Sequence, residues 1–275
     1  MTPGFAKPRH ELPWLPYGEV DRVIINAHNF ERTTPTLVGG ELAIWCPSLD
    51  IAGENTTTLT DLVGTNHGTL TNFAMSGSTS NWVDDTNSGG VRAINFDGTN
   101  DFLSLPVSST YSATSNRTWS FWYKGTSDTN QAIIAYALSS ANLPYFSIEI
   151  GPATGTLTNE LITILNEEAG GGVGCRIGYV TTNRNELFDG NWHHIAVTAN
   201  GSAYVIYLDG VSKTLTVGRV PNNGTPVVSG INRVSLGSVQ RLSAYGYLNG
   251  RLDDIRICTA LSAGNVASLA SKRGY

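Results

Sequence analysis

Charge and sulfur are scarce in this chain. Only 14% of its 275 residues are charged, and it has three cysteines and two methionines. Cys46, Cys175 and Cys258 stand far apart with no Cys-x-x-Cys pair, which excludes a dithiol redox site or a zinc knuckle and favours reduced thiols in the core. Seventeen Lys and Arg stand against 22 Asp and Glu, for a net charge of −5, and the basic residues are scattered. That excludes a phosphate-tracking groove, so no nucleic-acid partner is expected. No apolar run approaches the roughly 20 residues of a membrane-crossing helix. The first thirty residues also lack the basic, apolar and small-residue succession of a secretory signal, so synthesis and retention in the cytosol, or release by lysis, is the expectation.

What the chain has instead is turn and strand chemistry. It holds 30 glycines, with Ser, Thr and Asn throughout, and 40% hydrophobic residues, enough to fill a core. Strand-length apolar stretches recur at roughly ten-residue spacing. Glu41–Cys46 reads as a first strand and residues 60–72 as a loop with a short edge strand. Residues 93–105 read as two strands around Asp97-Gly98. In Arg117-Thr-Trp-Ser-Phe-Trp-Tyr-Lys124, alternation places Trp119, Phe121 and Tyr123 on one face. Ile133–Leu138, Tyr145–Ile150 and Leu161–Leu165 add further strands, and Ser262 is a candidate N-cap for one short C-terminal helix. The Asp-Gly and Asn-Gly pairs at 97–98, 189–190, 209–210 and 249–250 suit tight hairpins, where a positive φ is needed. The pattern predicts an all-β antiparallel sandwich over residues 39–275.

Residues 1–38 differ. Pro3, Pro8, Pro13, Pro16 and Pro35 punctuate them, with Trp14, Tyr17 and Phe30 between. Dense proline favours an extended path, and aromatics of this size are rare in a solvated leader. The segment reads as an arm that docks onto other copies of the chain or a larger assembly through Trp14, Tyr17 and Phe30.

Four pieces stand in a familiar order: Phe96-Asp-Gly-Thr-Asn-Asp-Phe102, Thr118-Trp-Ser-Phe-Trp122, Asp189-Gly-Asn-Trp-His-His-Ile-Ala-Val197 and Gly250-Arg-Leu-Asp-Asp-Ile-Arg-Ile257. Together they resemble the laminin-G-like jelly roll of the concanavalin A-like lectin/glucanase group, over about residues 42–269. Leu59-Thr-Asp-Leu-Val-Gly-Thr-Asn-His-Gly-Thr-Leu-Thr-Asn72, then Trp82, is similar to laminin-G-like proteins encoded by tailed phages and some environmental bacteria. The resemblance implies a virion protein made in the host cytoplasm. Its arm would bind its own copies or capsid proteins, and its sandwich would decorate the shell or adhere to cell-surface glycans. The alternative is an extracellular, calcium-dependent lectin.

Glycosidases of this superfold carry a Glu-x-Asp-x-x-Glu pattern on one strand, which alternation turns into a nucleophile and acid pair. This chain lacks it. Glu167 and Glu168 are adjacent beside Gly170-Gly-Gly172, Glu149 is isolated, and all three read as solvated loop residues. No enzyme is expected. Strict alternation places Asp253 with Ile255 and Ile257, so it would be a buried carboxylate. The resemblance implies that Asp97 and Asp101 lie near it. Either the three bind a structural Ca²⁺, or Asp253 accepts N–H groups from the Phe-Asp-Gly turn. His193 and His194 fall on opposite faces without an evident nucleophile and read as structural. Tyr145, Tyr245, Asn249 and Trp82 are glycan-contact candidates by residue type alone. The resemblance places the strands ending in Cys46 and Cys258 side by side. A disulfide between them is conceivable, and cytosolic synthesis favours free thiols.

Overall fold

The strands of the described residues form two antiparallel sheets. The computed structural model describes residues 35–273, apart from 54, 77–78, 86–90, 111, 115, 153–156, 169–173, 202 and 220–229. With strands numbered in chain order, the eight-stranded sheet runs β14 (Val211–Ser212), β13 (Ala203–Leu208), β12 (Trp192–Asn200), β7 (Asn116–Lys124), β17 (Asn249–Cys258), β5 (Val91–Asp97), β4 (Asn81–Asp85). β1 (Glu41–Trp45) lies beside the second half of β17. The nine-stranded sheet runs β15 (Thr216–Arg219), β11 (Cys175–Val180), β10 (Glu160–Glu167), β9 (Tyr145–Ile150), β8 (Gln131–Ala137), β16 (Arg233–Leu236), β6 (Phe102–Leu105), β3 (Gly68–Thr71), β2 (Thr58–Leu59).

Period-2 alternation builds the core between them. Trp119, Phe121 and Tyr123 of β7 point inward, as the sequence predicts, and meet Tyr136 of β8 with Phe146, Ile148 and Ile150 of β9. Trp119 and Phe146 are 5.0 Å apart at their centroids. The Trp119 Nε1–H donates to the Tyr136 hydroxyl across the sandwich (3.1 Å). Burying two large aromatics without orphaning their polar atoms ties one sheet to the other.

Of the pairs at 97–98, 189–190, 209–210 and 249–250, Asp209-Gly210 closes a two-residue hairpin, with both φ angles positive (51° and 76°). Asp97-Gly98 is instead a corner: β5 and β6 belong to different sheets. A side chain at Gly98 would meet Asn249 Cβ at 2.9 Å, so the corner needs glycine for proximity as well as for φ. Asp189-Gly190 leads from the nine-stranded sheet into β12, and Gly250 lies within β17 itself.

Of the register shifts in the two sheets, the one within β17 matters most for the site. The β17–β7 register shifts between Asp253 and Arg256, and Asp254 adopts a φ of 44°. This β-bulge spends an extra residue. Leu252, Ile255 and Ile257 still reach the core. Asp253 is turned to the outer face, contrary to its expected place beside Ile255 and Ile257.

The outer face of the eight-stranded sheet is covered rather than wet. Helix α1 (Ala263–Ala270) begins at Ser262, whose hydroxyl accepts the Asn265 N–H (3.2 Å), as the sequence predicts. Its Val266 and Leu269 pack with Ala196, Tyr207, Cys258 and Leu261. Residues 35–38, the only part of the arm within the described residues, lie on the same face. Pro35 is buried, the Thr36 carbonyl accepts from Arg256 Nη1, and the Val38 carbonyl accepts from Asn265 Nδ2 (3.1 Å). Trp14, Tyr17 and Phe30 lie outside the described residues. Because Leu269 is buried in an apolar cluster with Ala196, Tyr207, Cys258, Leu261 and Val266, Leu269→Ala is expected to destabilise the protein by about 2–4 kcal/mol in urea unfolding. A change under about 0.5 kcal/mol would show that α1 is not part of the cooperative unit.

Candidate functional site

The Asp189–Val197 motif enters β12 with its two histidines on opposite faces, as alternation requires. His193 sits between two carboxylates: Nδ1 is 2.8 Å from Asp209 Oδ2 and Nε2 is 3.0 Å from Asp189 Oδ1. The hydrogen bond to Asp209, aided by the one to Asp189 and opposed by partial burial, raises its pKa. The imidazolium donates at both ends and joins the loop before β12 to the tip of the β13–β14 hairpin.

His194 is different. It is fully buried, and burial pushes its pKa down to about 3, so the ring is neutral. Its Nε2 is 2.8 Å from the Ser120 hydroxyl. Sequence reading expected no nucleophile partner, because Ser120 lies 74 residues earlier and only the β7–β12 pairing brings the two together. The pair does not make a catalytic triad. Asp209 accepts the backbone N–H of His194 (2.8 Å), not its imidazole, and Nδ1 has no partner. Ser120 is buried as well, which shuts out a substrate.

The three predicted calcium ligands do not meet. Asp101 Oδ2 accepts the Asp97 N–H (3.0 Å), closing the Phe-Asp-Gly turn, and burial pushes the Asp101 carboxyl up to about 6. Asp97 pairs with Asn249, four residues before Asp253, or about 13 Å along β17. The N–H groups on Asp253 are those of Ser48 (3.1 Å) and Asp254 (2.9 Å), both on Oδ1, and Arg273 Nε is 3.2 Å from Oδ2. So backbone N–H groups do reach Asp253, but from a different turn and on Oδ1 alone, while Oδ2 is buried beside Arg273 with no hydrogen-bond donor on it. Among the described residues no group of three or more His, Cys, Asp or Glu is arranged to hold a metal ion. A calcium ion needs six to eight oxygens, and Asp97, Asp101 and Asp253 do not supply a common site.

Glu149 is not a loop residue. It lies in β9, fully buried on the side away from the inter-sheet core. Its carboxylate accepts from Tyr245 Oη (2.6 Å), Ser147 Oγ (2.7 Å) and Asn130 Nδ2 (2.8 Å). The isolated glutamate is therefore the centre of a polar cluster, which the seven strands between β9 and Tyr245 conceal in the sequence. Nearby, Glu160 and Arg176 form a buried, bidentate ion pair. Glu167 ends β10 and pairs with Arg219. Tyr145 and Tyr245 come together, with ring centroids 6.4 Å apart, and the Arg241 guanidinium covers both at 4.9 and 4.6 Å. The other two glycan candidates lie elsewhere. Trp82 is in the core with its Nε1–H on the Thr56 carbonyl (2.8 Å), and Asn249 abuts the Gly98 corner. The outer side of the nine-stranded sheet thus combines aromatics, a guanidinium and carboxylates under a loop, Val239–Tyr245.

Cys46, Cys175 and Cys258 are free and buried. β1 and β17 are neighbours, as expected, but antiparallel: Glu41 faces Cys258, so Cys46 lies at the opposite end, beside Asp253 (3.5 Å). That register excludes a Cys46–Cys258 disulfide.

A model of the concanavalin A-like lectin/glucanases superfamily matches residues 97–267. Curated protein sequences give no match. Among solved structures, domain 4 of AbnA, a GH43 extracellular arabinanase from Geobacillus stearothermophilus in complex with arabinotriose, is 20% identical with a TM-score of 0.56. The similarity covers 84% of this chain and 98% of that domain. The binding domain of Paraclostridial Mosquitocidal Protein 1 is 15% identical, with a TM-score of 0.51 over 84% of this chain and 52% of that one. Trypanosoma rangeli sialidase is 11% identical, with a TM-score of 0.52 over 92% of this chain and 39% of the sialidase. At these identities the likeness is one of fold. Sandwiches of this kind occur both in enzymes and in binding domains.

The His193 bridge makes a pH prediction. A raised folded-state pKa contributes stability that is complete below the unfolded value of about 6.5 and is lost as pH rises through the folded value. Wild type is expected to exceed His193→Gln by on the order of 1 kcal/mol at pH 5.5, with the gap closing above neutrality. A gap that widens with pH would contradict the bridge.

Proposed function

Since this chain belongs to the concanavalin A-like lectin/glucanase superfamily, we propose that it is a non-catalytic binding protein displayed on the shell of a tailed phage. Its sandwich adheres to cell-surface glycans, and residues 1–38 anchor it to capsid proteins or to its own copies. The observation that supports a binding role is the commitment of the strand carboxylates. Glu149 accepts three hydrogen bonds, Glu160 is paired with Arg176, Asp253 with Arg273 and Asp254 with Arg256. A glycosidase needs one carboxyl free to give up a proton and a second free to attack or to activate water. Each of these four is instead buried and locked into the sandwich.

The anchor reading draws on the sequence resemblance and on the root of the arm, which Arg256 and Asn265 fix against the eight-stranded sheet. A fixed root lets the preceding residues reach a neighbour while the rest of the sandwich faces outward. Many displayed copies make weak glycan contacts useful through avidity. The arabinanase domain whose fold this chain shares was seen with arabinotriose, so oligosaccharides are the first ligand class to test.

Two experiments separate the parts of this reading. On a glycan array the full chain, multimerised on beads, is expected to retain oligosaccharides without hydrolysing them; release of reducing sugar that Glu149→Gln abolishes would make it an enzyme. Deletion of residues 1–34 is expected to leave the strand circular dichroism intact while abolishing association with capsid shells. Undiminished shell association by the truncated chain would remove the anchor role.

A further inference from the structure

After α1, residues 271–273 fold back over the eight-stranded sheet and place Arg273 in a cage. The Arg273 guanidinium lies 4.0 Å from the centroid of the Trp192 ring, with Nε 3.2 Å from Asp253 Oδ2. The Arg273 side chain is 8% exposed and the Asp253 side chain fully buried. The bulge in β17 presents this carboxylate outward. Its Oδ1 is occupied by the Ser48 and Asp254 N–H groups, which leaves Oδ2 facing the guanidinium. An indole face on one side and a carboxylate edge on the other select a planar cation that can stack and donate together.

More polar capacity lies alongside. His194, Trp122 and Asp253 occupy one cross-strand row, and Trp192 stands two residues before His194 on the same face of β12. Trp122 Nε1 and His194 Nδ1 are both buried there without a hydrogen-bond partner. An indole N–H is only a donor, and buried polar atoms are seldom left unpaired. Arg273 therefore fills the cage without using all of its polar atoms. The attachment of the strap is also short. α1 is held by Val266 and Leu269, whereas the residues beyond it are held by the Ser271 N–H and hydroxyl on the Ser268 carbonyl (3.3 and 2.7 Å), the Lys272 N–H on the Leu269 carbonyl (3.5 Å) and the Arg273 contacts.

We propose that Trp192 and Asp253, flanked by Trp122 and His194, form a guanidinium-binding site that the chain fills in cis with Arg273, and that an arginine side chain supplied in trans occupies it when the strap lifts. Release of Arg273 and capture of a second guanidinium are one exchange at one cage, with no other element of the sandwich moving. The strap is thus a self-occupied receptor for arginine, a cationic contact distinct from any glycan surface.

The test uses the full chain carrying Arg273→Ala. Its melting temperature is expected to fall and to be restored saturably by methylguanidinium at concentrations far below denaturing, with a change in tryptophan fluorescence. Methylammonium is expected to bind about tenfold more weakly. Wild type, in which Arg273 competes for the cage, is expected to respond only at higher concentrations of methylguanidinium, and Arg273→Ala/Asp253→Asn is expected not to respond. A peptide of residues 268–275 distinguishes the source: tighter binding than methylguanidinium points to the strap of a second copy, and equal binding shows that only the guanidinium is read. Should Arg273→Ala not fold, Arg273→Gln, which keeps a stem on Trp192, replaces it. A folded variant that methylguanidinium neither stabilises nor perturbs would overturn the proposal.

Discussion

The outward turn of β17 at Asp253 and Asp254 is the constraint on which the remainder of the structure rests. β17 pairs with β7, β5 and β1, so it joins the two halves of its sheet. By spending one residue in the bulge, it keeps Leu252, Ile255 and Ile257 in the core while placing Asp253, Asp254 and Arg256 on the other side. Each of these then holds a different piece of chain. Asp253 takes the Ser48 turn and Arg273, and Arg256 takes Asp254 and the carbonyl of Thr36. The root of the arm and the C-terminal strap are therefore both organised from one strand. Burying those charges is tolerable only because each has a partner. Removing one partner strands the other, at a typical cost of several kcal/mol.

The same economy governs the reactive residue types on the outer faces of both sheets. Ser120 and His194 form a close pair, yet the ring lacks an orienting carboxylate and the hydroxyl lacks access. Glu149 is fully buried, and its carboxylate is held by three hydrogen-bond donors. In both cases the polar atoms position strands.

Much of this was legible in the sequence, for identifiable reasons. Trp119, Phe121 and Tyr123 alternate without interruption, so their common face was readable, and Ser262 precedes a helix it visibly caps. Asp253 was misplaced because a bulge leaves no mark in hydropathy: Asp-Asp-Ile-Arg-Ile alternates equally well with or without the extra residue. Glu149 looked solitary because its partners Asn130 and Tyr245 come from before and long after β9. The Asp97-Gly98 pair announced a turn correctly, but local sequence does not say whether a turn returns to its own sheet or crosses to the other.

Native-state hydrogen exchange on the full chain tests the central role of the bulge most directly. The amides of Ser48 and Asp254, both donors to Asp253 Oδ1, are predicted to exchange only with global unfolding, in the same slowest class as those of β7. Exchange of these two amides in the fast class of the exposed loops, with β7 still protected, would contradict the account.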